Sequence, residues 1–175
     1  MSQDAFQQDE SDAVDRIVEQ WRTERPDLDP SAKGITGRIV RLAGSFQRAY
    51  GEAFAPLELS EGDYGVLVAL RRAGDPYQLT PTALARTRMM TSGGMTAGLD
   101  RLERRGLLER RPNPDDRRGS IVALTPEGLA KIDEAMAIHA RVEHELVASL
   151  PAAQRDQLAA LLRSLVLGTE GPGDA

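Results

Sequence analysis

The stretch from Leu79 to Thr125 most constrains the fold, because it carries two helix signals and then a switch to strand periodicity. Leu79-Thr80-Pro81-Thr82-Ala83-Leu84-Ala85-Arg86 offers Thr80 as a helix cap and Pro81 at the first turn, where a missing N–H costs nothing. This helix is expected to stop near Met89-Met90. Thr91 or Ser92 can cap the next one, in which Met95, Leu99 and Leu102 share one face. After Gly106, Leu107-Leu108 and Ile121 to Leu124 read as short strands. Pro112-Asn113-Pro114-Asp115-Asp116-Arg117-Arg118-Gly119 between them is dense in turn formers. Helix, turn, helix and two-stranded ribbon predict a mainly α chain with a small β wing, a winged helix-turn-helix.

The second helix leaves Ser92, Thr96, Ala97, Arg101 and Arg104 off its apolar face. Thin side chains at its start let a helix approach base edges, while Arg pairs with phosphate or guanine. Gly93 and Gly94 weaken the isolated helix by roughly 1 kcal/mol each relative to alanine, which suits a site of close approach. At the ribbon tip, Asp116 can hold Arg117 or Arg118 for a minor groove or phosphate. The candidate double-stranded-DNA contacts are therefore Thr91, Ser92, Gly93, Thr96, Arg101, Asp116, Arg117 and Arg118. The competing reading is an ordinary α+β core with a solvated Arg hairpin.

Leu79 to Gly128 resembles the DNA-binding lobe of the MarR family of bacterial transcriptional regulators. The resemblance rests on Arg104-Arg105-Gly106-Leu107-Leu108-Glu109-Arg110, Asp116-Arg117-Arg118 and Leu124-Thr125-Pro126-Glu127-Gly128. The family's wing motif, Asp-x-Arg before a strand ending Leu-Thr, falls on Asp116, Arg118, Leu124 and Thr125. With the flanking helical segments the similarity extends over residues 34–168.

A net charge of −5 is unusual for a DNA binder until it is divided along the chain. Tyr64 to Arg118 holds 11 Arg and 6 acids, net +5, leaving 11 basic and 21 acidic residues, net −10, elsewhere. The local field attracts phosphate, and the acidic remainder orients the lobe. At 175 residues and 41% hydrophobic the chain can bury a real core. No run approaches the ~18 apolar residues of a membrane helix, and the N-terminus is polar and acidic, so no membrane span or signal peptide is expected and the cytoplasm is. The absence of cysteine excludes disulfides, thiolate metal sites and thiol-based sensing.

Residues 1–11 read as a disordered tail. An amphipathic helix is expected over 12–25, with Val14, Ile17, Val18 and Trp21 on one stripe. From Gly34 to Ala55 a second helix keeps Ile35, Ile39, Leu42, Phe46, Tyr50 and Phe54 on one face. Ser60-Glu61-Gly62-Asp63 resembles the start of another, in which Asp63 can simply be a first-turn carboxylate favoured by the helix dipole. The winged lobe spans 60–125. Thr125 and Pro126 open a long helix with Leu129, Ile132, Met136, His139, Val142, Leu146 and Leu150 along one seam. Pro151 starts a last helix with Leu158, Leu161, Leu162 and Leu165 on one face, and 169–175 is a second tail. The terminal helices carry more apolar surface than a small winged helix can cover, and a second copy is the expected partner. The resemblance implies the same: segments 34–55 and 126–168 interlock two subunits into a homodimer that reads an inverted repeat, with half-sites about one helical turn apart.

The added N-terminal helix with its Trp resembles the family branch that responds to urate and to phenolic or other metabolites. That branch holds its ligand between the dimerisation helices and the DNA-binding lobe. The resemblance implies ligand contacts at Trp21, Asp63 and Arg110, whereas Gly98 stands where the branch carries a recognition-helix Arg. A small aromatic or phenolic anion other than urate is the expected ligand. Trp21 would stack on its ring and Arg110 would pair with its charge. No cofactor is expected, and no enzyme: His139 and His144 are five apart on one helix and do not align for a shared metal. No phosphate loop or nucleophile constellation is visible. The alternatives are a winged helix that binds protein and a ligand-insensitive MarR-type repressor. The resemblance implies repression of the chain's own gene and of a neighbouring transporter or enzyme gene.

Overall fold

A computed structural model describes residues 11–86, 92–114 and 116–169, with backbone alone at 92–96, 117 and 118. The chain divides into two compact units, Met1–Arg48 and Ala49–Ala175.

In the first unit, α1 (Ala13–Glu24) begins at a capping box. Asp12 accepts hydrogen bonds from the backbone N–H groups of Val14 and Asp15 at 2.6 and 3.0 Å, and Asp15 accepts from the Asp12 N–H at 3.0 Å. Val14 and Val18 are buried, and a Cβ on Gly37 would lie 3.2 Å from Val14 Cγ1. Gly37 belongs to α2 (Lys33–Phe54), so α1 rests on the first part of that helix. Arg38 of α2 clamps the pair by donating to Asp12 at 2.9 Å and to Asp15 at 2.7 Å. Trp21 is not buried: the residue is 40% exposed, with Lys33 Nζ 5.3 Å from the ring centroid.

The second unit holds the core. After α2 come α3 (Glu61–Arg72), β1 (Gln78–Leu79), α4 (Pro81–Arg86), α5 (Ser92–Arg104), β2 (Leu108–Asn113), β3 (Asp116–Leu124), α6 (Pro126–Leu146) and α7 (Ala152–Thr169). Phe54, Leu67, Leu70, Leu102, Leu108 and Ile132 are fully buried. Tyr50, His139 and Tyr64 stack in turn, with centroids 4.6 and 4.9 Å apart, over the end of α2, α6 and α3. The predicted mainly α architecture with a small β wing is what forms.

Two predictions about the ribbon are revised. The sheet has three strands in the order β1-β3-β2, all antiparallel. Gln78–Leu79 is too short to show a periodicity of its own and pairs with Ala123 and Val122 only once β3 is in place. The segment 112–119, read as a turn, is mostly strand, since β2 runs to Asn113 and β3 starts at Asp116. Pro112 is tolerated because β2 is an edge strand, and the register shift between Pro112 and Asn113 absorbs the irregularity. Arg117 and Arg118 therefore lie on the backbone of β3, just past the tip.

The corner between α5 and the sheet depends on two glycines. Gly106 has φ +71°, and its N–H bonds Glu103 O at 2.9 Å while Leu107 N–H bonds Leu102 O at 3.0 Å, a Schellman ending. A Cβ on Gly128 would lie 1.8 Å from Leu107 O, so only glycine lets α6 start against this corner. Thr125 ties the two together: its hydroxyl donates to Gly106 O at 2.6 Å and accepts from Gly128 N–H at 3.0 Å.

The apolar faces of the terminal helices stay uncovered within one chain. Of the six residues spaced along α2, only Phe54 is buried; Ile35, Ile39 and Leu42 are exposed. Helix α7 buries none, and Leu158, Leu161, Leu162 and Leu165 lie open at 38–59% exposure. Among the described residues no helix is long and apolar enough to cross a membrane.

Candidate nucleic-acid interface

Helix α4 is capped as its sequence predicts, Thr80 Oγ1 accepting from Ala83 N–H at 3.1 Å. Leu84 anchors it in the core, and Leu99 and Leu102 anchor α5. The segment expected to hold the end of the first helix, including Met89, Met90 and Thr91, lies outside the described residues. Ser92, Gly93 and Thr96 form the first half of α5, with their side chains outside the description, as are those of Arg117 and Arg118. Asp116 is exposed beside Gly119, its Oδ2 3.0 Å from the place a Gly119 Cβ would take.

The second half of α5 is held by a set of arginine ties. Asp63, 2% exposed, is the only buried charged residue among those described. One of its oxygens accepts from Ser60 N–H at 3.0 Å and Ser60 Oγ at 2.8 Å, closing the capping box of α3. The other accepts from Arg101 Nη2 at 2.6 Å and Nε at 3.2 Å. Burial pushes the Asp63 carboxyl up, but Arg101 and the Ser60 donors together outweigh it, and the group lies below the ordinary carboxylate value. Arg101 thus turns toward α3. A Cβ on Gly98, one helical turn earlier, would only touch Arg101 Nη2 at 3.9 Å. Gly98 itself carries no side chain, and the cation that engages Asp63 is Arg101, three residues later on α5.

Arg105 donates to Glu58 O at 2.6 Å and Leu57 O at 3.3 Å, closing the end of the short 3-10 turn at Ala55–Leu57. From the wing, Arg110 donates to Glu103 at 2.5 Å and Asp100 at 2.6 Å, both on α5. Arg71 pairs with Asp133 at 2.7 Å, and Arg111 pairs with Glu109. Five of the arginines that make Tyr64 to Arg118 basic are therefore in ion pairs with the protein's own acids. The field offered to phosphate is smaller than the count of charges suggests. It falls to exposed side chains such as Arg72, Arg86 and Arg104.

Of the residues implied to bind a ligand, Asp63 and Arg110 both engage α5, whereas Trp21 belongs to the first unit. The sequence reading missed Asp100, Glu103 and Arg105 as parts of this arrangement. An acid pair three apart on a helix, which shares a face, was an available signal for the first two.

The family model described as "MarR family" matches residues 57–119. The transcriptional regulator PecS of Dickeya dadantii is 36% identical over 149 residues, covering 85% of this chain and 90% of PecS. The chain belongs to the MarR family. Its fold matches that of a mutant MarR from E. coli crystallised with operator DNA, at a TM-score of 0.66 and 28% identity over 89% of this chain and 99% of that one. It also matches BpsR of Bordetella bronchiseptica, whose DNA binding is regulated by 6-hydroxynicotinic acid, at a TM-score of 0.67 and 22% identity over 76% of this chain and 98% of that one. This MarR-family chain shares the winged helix of these proteins, and its relatives are transcriptional regulators rather than enzymes. Among the described residues no cluster of His, Asp and Glu suits a metal.

Proposed function

We propose that this MarR-family chain is a transcriptional repressor that binds an inverted-repeat operator as a homodimer and is released by a small aromatic or phenolic anion. The observation that carries the DNA-binding part is the second half of α5 held to α3 by Arg101–Asp63 and to the wing by Arg110, which leaves its small, hydroxyl-bearing first half as the reading end. Thr91, Ser92, Gly93 and Thr96 would approach the bases, and Arg117 and Arg118, set beside Asp116, would reach the flanking backbone or minor groove. Arg101 contributes by anchoring the helix. The likeness to a MarR bound to operator DNA supports this reading.

The homodimer is supported by the leucine stripe of α7 and the exposed Ile35, Ile39 and Leu42 of α2, apolar faces that a second copy would cover. Ligand release is supported by the exposed Trp21 ring and by the regulation of BpsR, a protein of the same fold, by an aromatic acid. A second reading, a ligand-insensitive repressor, is favoured by the partners that Asp63 and Arg110 already have on α5.

Fluorescence anisotropy with DNA from upstream of the chain's own gene, against a scrambled duplex over a salt series, tests the proposal. Selective binding with a steep negative salt slope is expected. Equal, weak, salt-insensitive binding to both duplexes would refute it in favour of a protein partner. Titration with 6-hydroxynicotinate, salicylate and urate then separates the two forms: release that weakens on Trp21→Ala supports the ligand, and no release by any of them supports the insensitive regulator.

A further inference from the structure

Arg110 holds the wing and the reading helix in one geometry, and the atoms involved are specific. Leu108 and Arg110 are two apart on β2 and share the face that looks toward the core. Leu108 is buried in the core, and Arg110 continues that face outward as a polar contact with α5. Its Nη2 donates to Asp100 Oδ1 at 2.6 Å and its Nη1 to Glu103 Oε2 at 2.5 Å. The backbone N–H of Arg110 donates to the other oxygen of Glu103 at 3.1 Å. Glu103 therefore fixes both the main chain and the side chain of the same wing residue. Beyond this point β2 weakens toward the tip, with Pro112 lacking an N–H and the register shifting. Arg110 ties the ribbon to α5 on the core side of that irregularity.

Asp100 and Glu103 need an explanation of their own. Two carboxylates on a helix that approaches a polyanion oppose binding unless a cation offsets them. We propose that Arg110 is a positioning residue for DNA binding: with Asp100 and Glu103 it forms a latch that sets the angle between wing and reading helix, so that both can engage one half-site. The latch rests on the DNA-binding reading and is independent of the ligand. It contacts no DNA itself and acts through the placement of Arg117 and Arg118.

The test uses the full chain and a duplex that the wild-type protein recovers from a random-sequence pool, with a shortened version lacking the flanks protected by the wing in a hydroxyl-radical footprint. The variants are Arg110→Gln, Arg110→Lys, Glu103→Gln and the Arg110→Gln/Glu103→Gln double. Arg110→Gln and Glu103→Gln are each expected to weaken binding roughly five- to tenfold, with the double no weaker than either alone, as for a coupled pair. Arg110→Lys should fall between, since a single ammonium does not span two carboxylates as a guanidinium does. The salt slope should stay unchanged, and the loss should vanish on the shortened duplex. Circular dichroism melts check folding, and Glu103→Gln, an isosteric change at the surface, keeps the test open if Arg110→Gln does not fold.

Simple charge repulsion predicts the opposite sign for Glu103→Gln, so tighter or unchanged binding overturns the latch. Multiplicative losses overturn it as well, and so does a salt slope reduced by about one in Arg110→Gln, the mark of a direct phosphate contact. A wild-type chain that recovers no duplex overturns the DNA-binding reading and the latch together.

Discussion

Replacing Asp63 by alanine removes two stabilising devices at once, and the structure sets the size of the loss. The first is the capping box with Ser60, in which one carboxylate oxygen accepts from the Ser60 N–H and hydroxyl. The substitution removes this reciprocal acceptor while Ser60 Oγ still caps the N–H of residue 63, so the loss stays within the ~1 kcal/mol of a whole cap. The second is the pair with Arg101, two hydrogen bonds between charged groups. Such bonds contribute about 1.5–3 kcal/mol when shielded, but Arg101 is half exposed and recovers hydration when released. The expected total is about 2–3 kcal/mol, a fall in melting temperature of roughly 4–12 °C for a chain of this size. Asp63→Asn retains one acceptor for Ser60 and should lose less. The acid dependence follows from the depressed carboxyl of the folded state. A group of this kind stabilises fully above its unfolded pKa, about pH 4 for aspartate, and loses that contribution as the pH falls through the folded value. The gap between wild type and Asp63→Ala should therefore be constant from pH 7 to about 5 and close below about pH 4. Urea unfolding followed by circular dichroism at matched protein concentration measures it. A loss under about 0.5 kcal/mol at pH 7, or a gap that persists unchanged at pH 3, would refute the reasoning. So would losses from Asp63→Ala and Arg101→Ala that simply add in the double variant.

Gly128→Ala should destabilise by at least about 2 kcal/mol, because the new Cβ would meet Leu107 O at 1.8 Å and backbone cannot swing aside as a side chain can; a melt within about 1 °C of wild type would contradict this. Leu161→Arg, at a residue 59% exposed in one chain, should leave the helical content intact and abolish self-association. Sedimentation velocity reads the outcome, and a variant that sediments as the wild-type chain does would show that α7 carries no self-association.

Much of the lobe was legible because its signals are local. Thr80, Ser60 and Thr125 cap the helices they precede, and Gly106 ends α5 in a left-handed turn. These features involve residues three or four apart, and their geometry follows from backbone hydrogen bonding alone. The ribbon was less legible. Pro112 and Gly119 are turn formers in isolation, yet an edge strand accommodates them, and β1 exists only as a partner for β3.

What the sequence by itself determined is therefore the succession of helices with a ribbon after α5, the family, and the apolar stripes on α2 and α7. These depend on periodicity and short-range caps. Tertiary structure alone decided which charges meet. Arg101 and Asp63 are 38 residues apart, and no spacing rule joins them. Arg101 read in isolation is a DNA contact, and Asp63 a helix-dipole carboxylate. Packing of α5 against α3 brings them to 2.6 Å, and burial of Asp63 makes the pairing necessary, since an isolated carboxylate there would carry the full cost of its lost hydration. Arg110 followed the same logic: its charge was visible in the sequence, but its two carboxylate partners, Asp100 and Glu103, are met only when β2 packs beside α5.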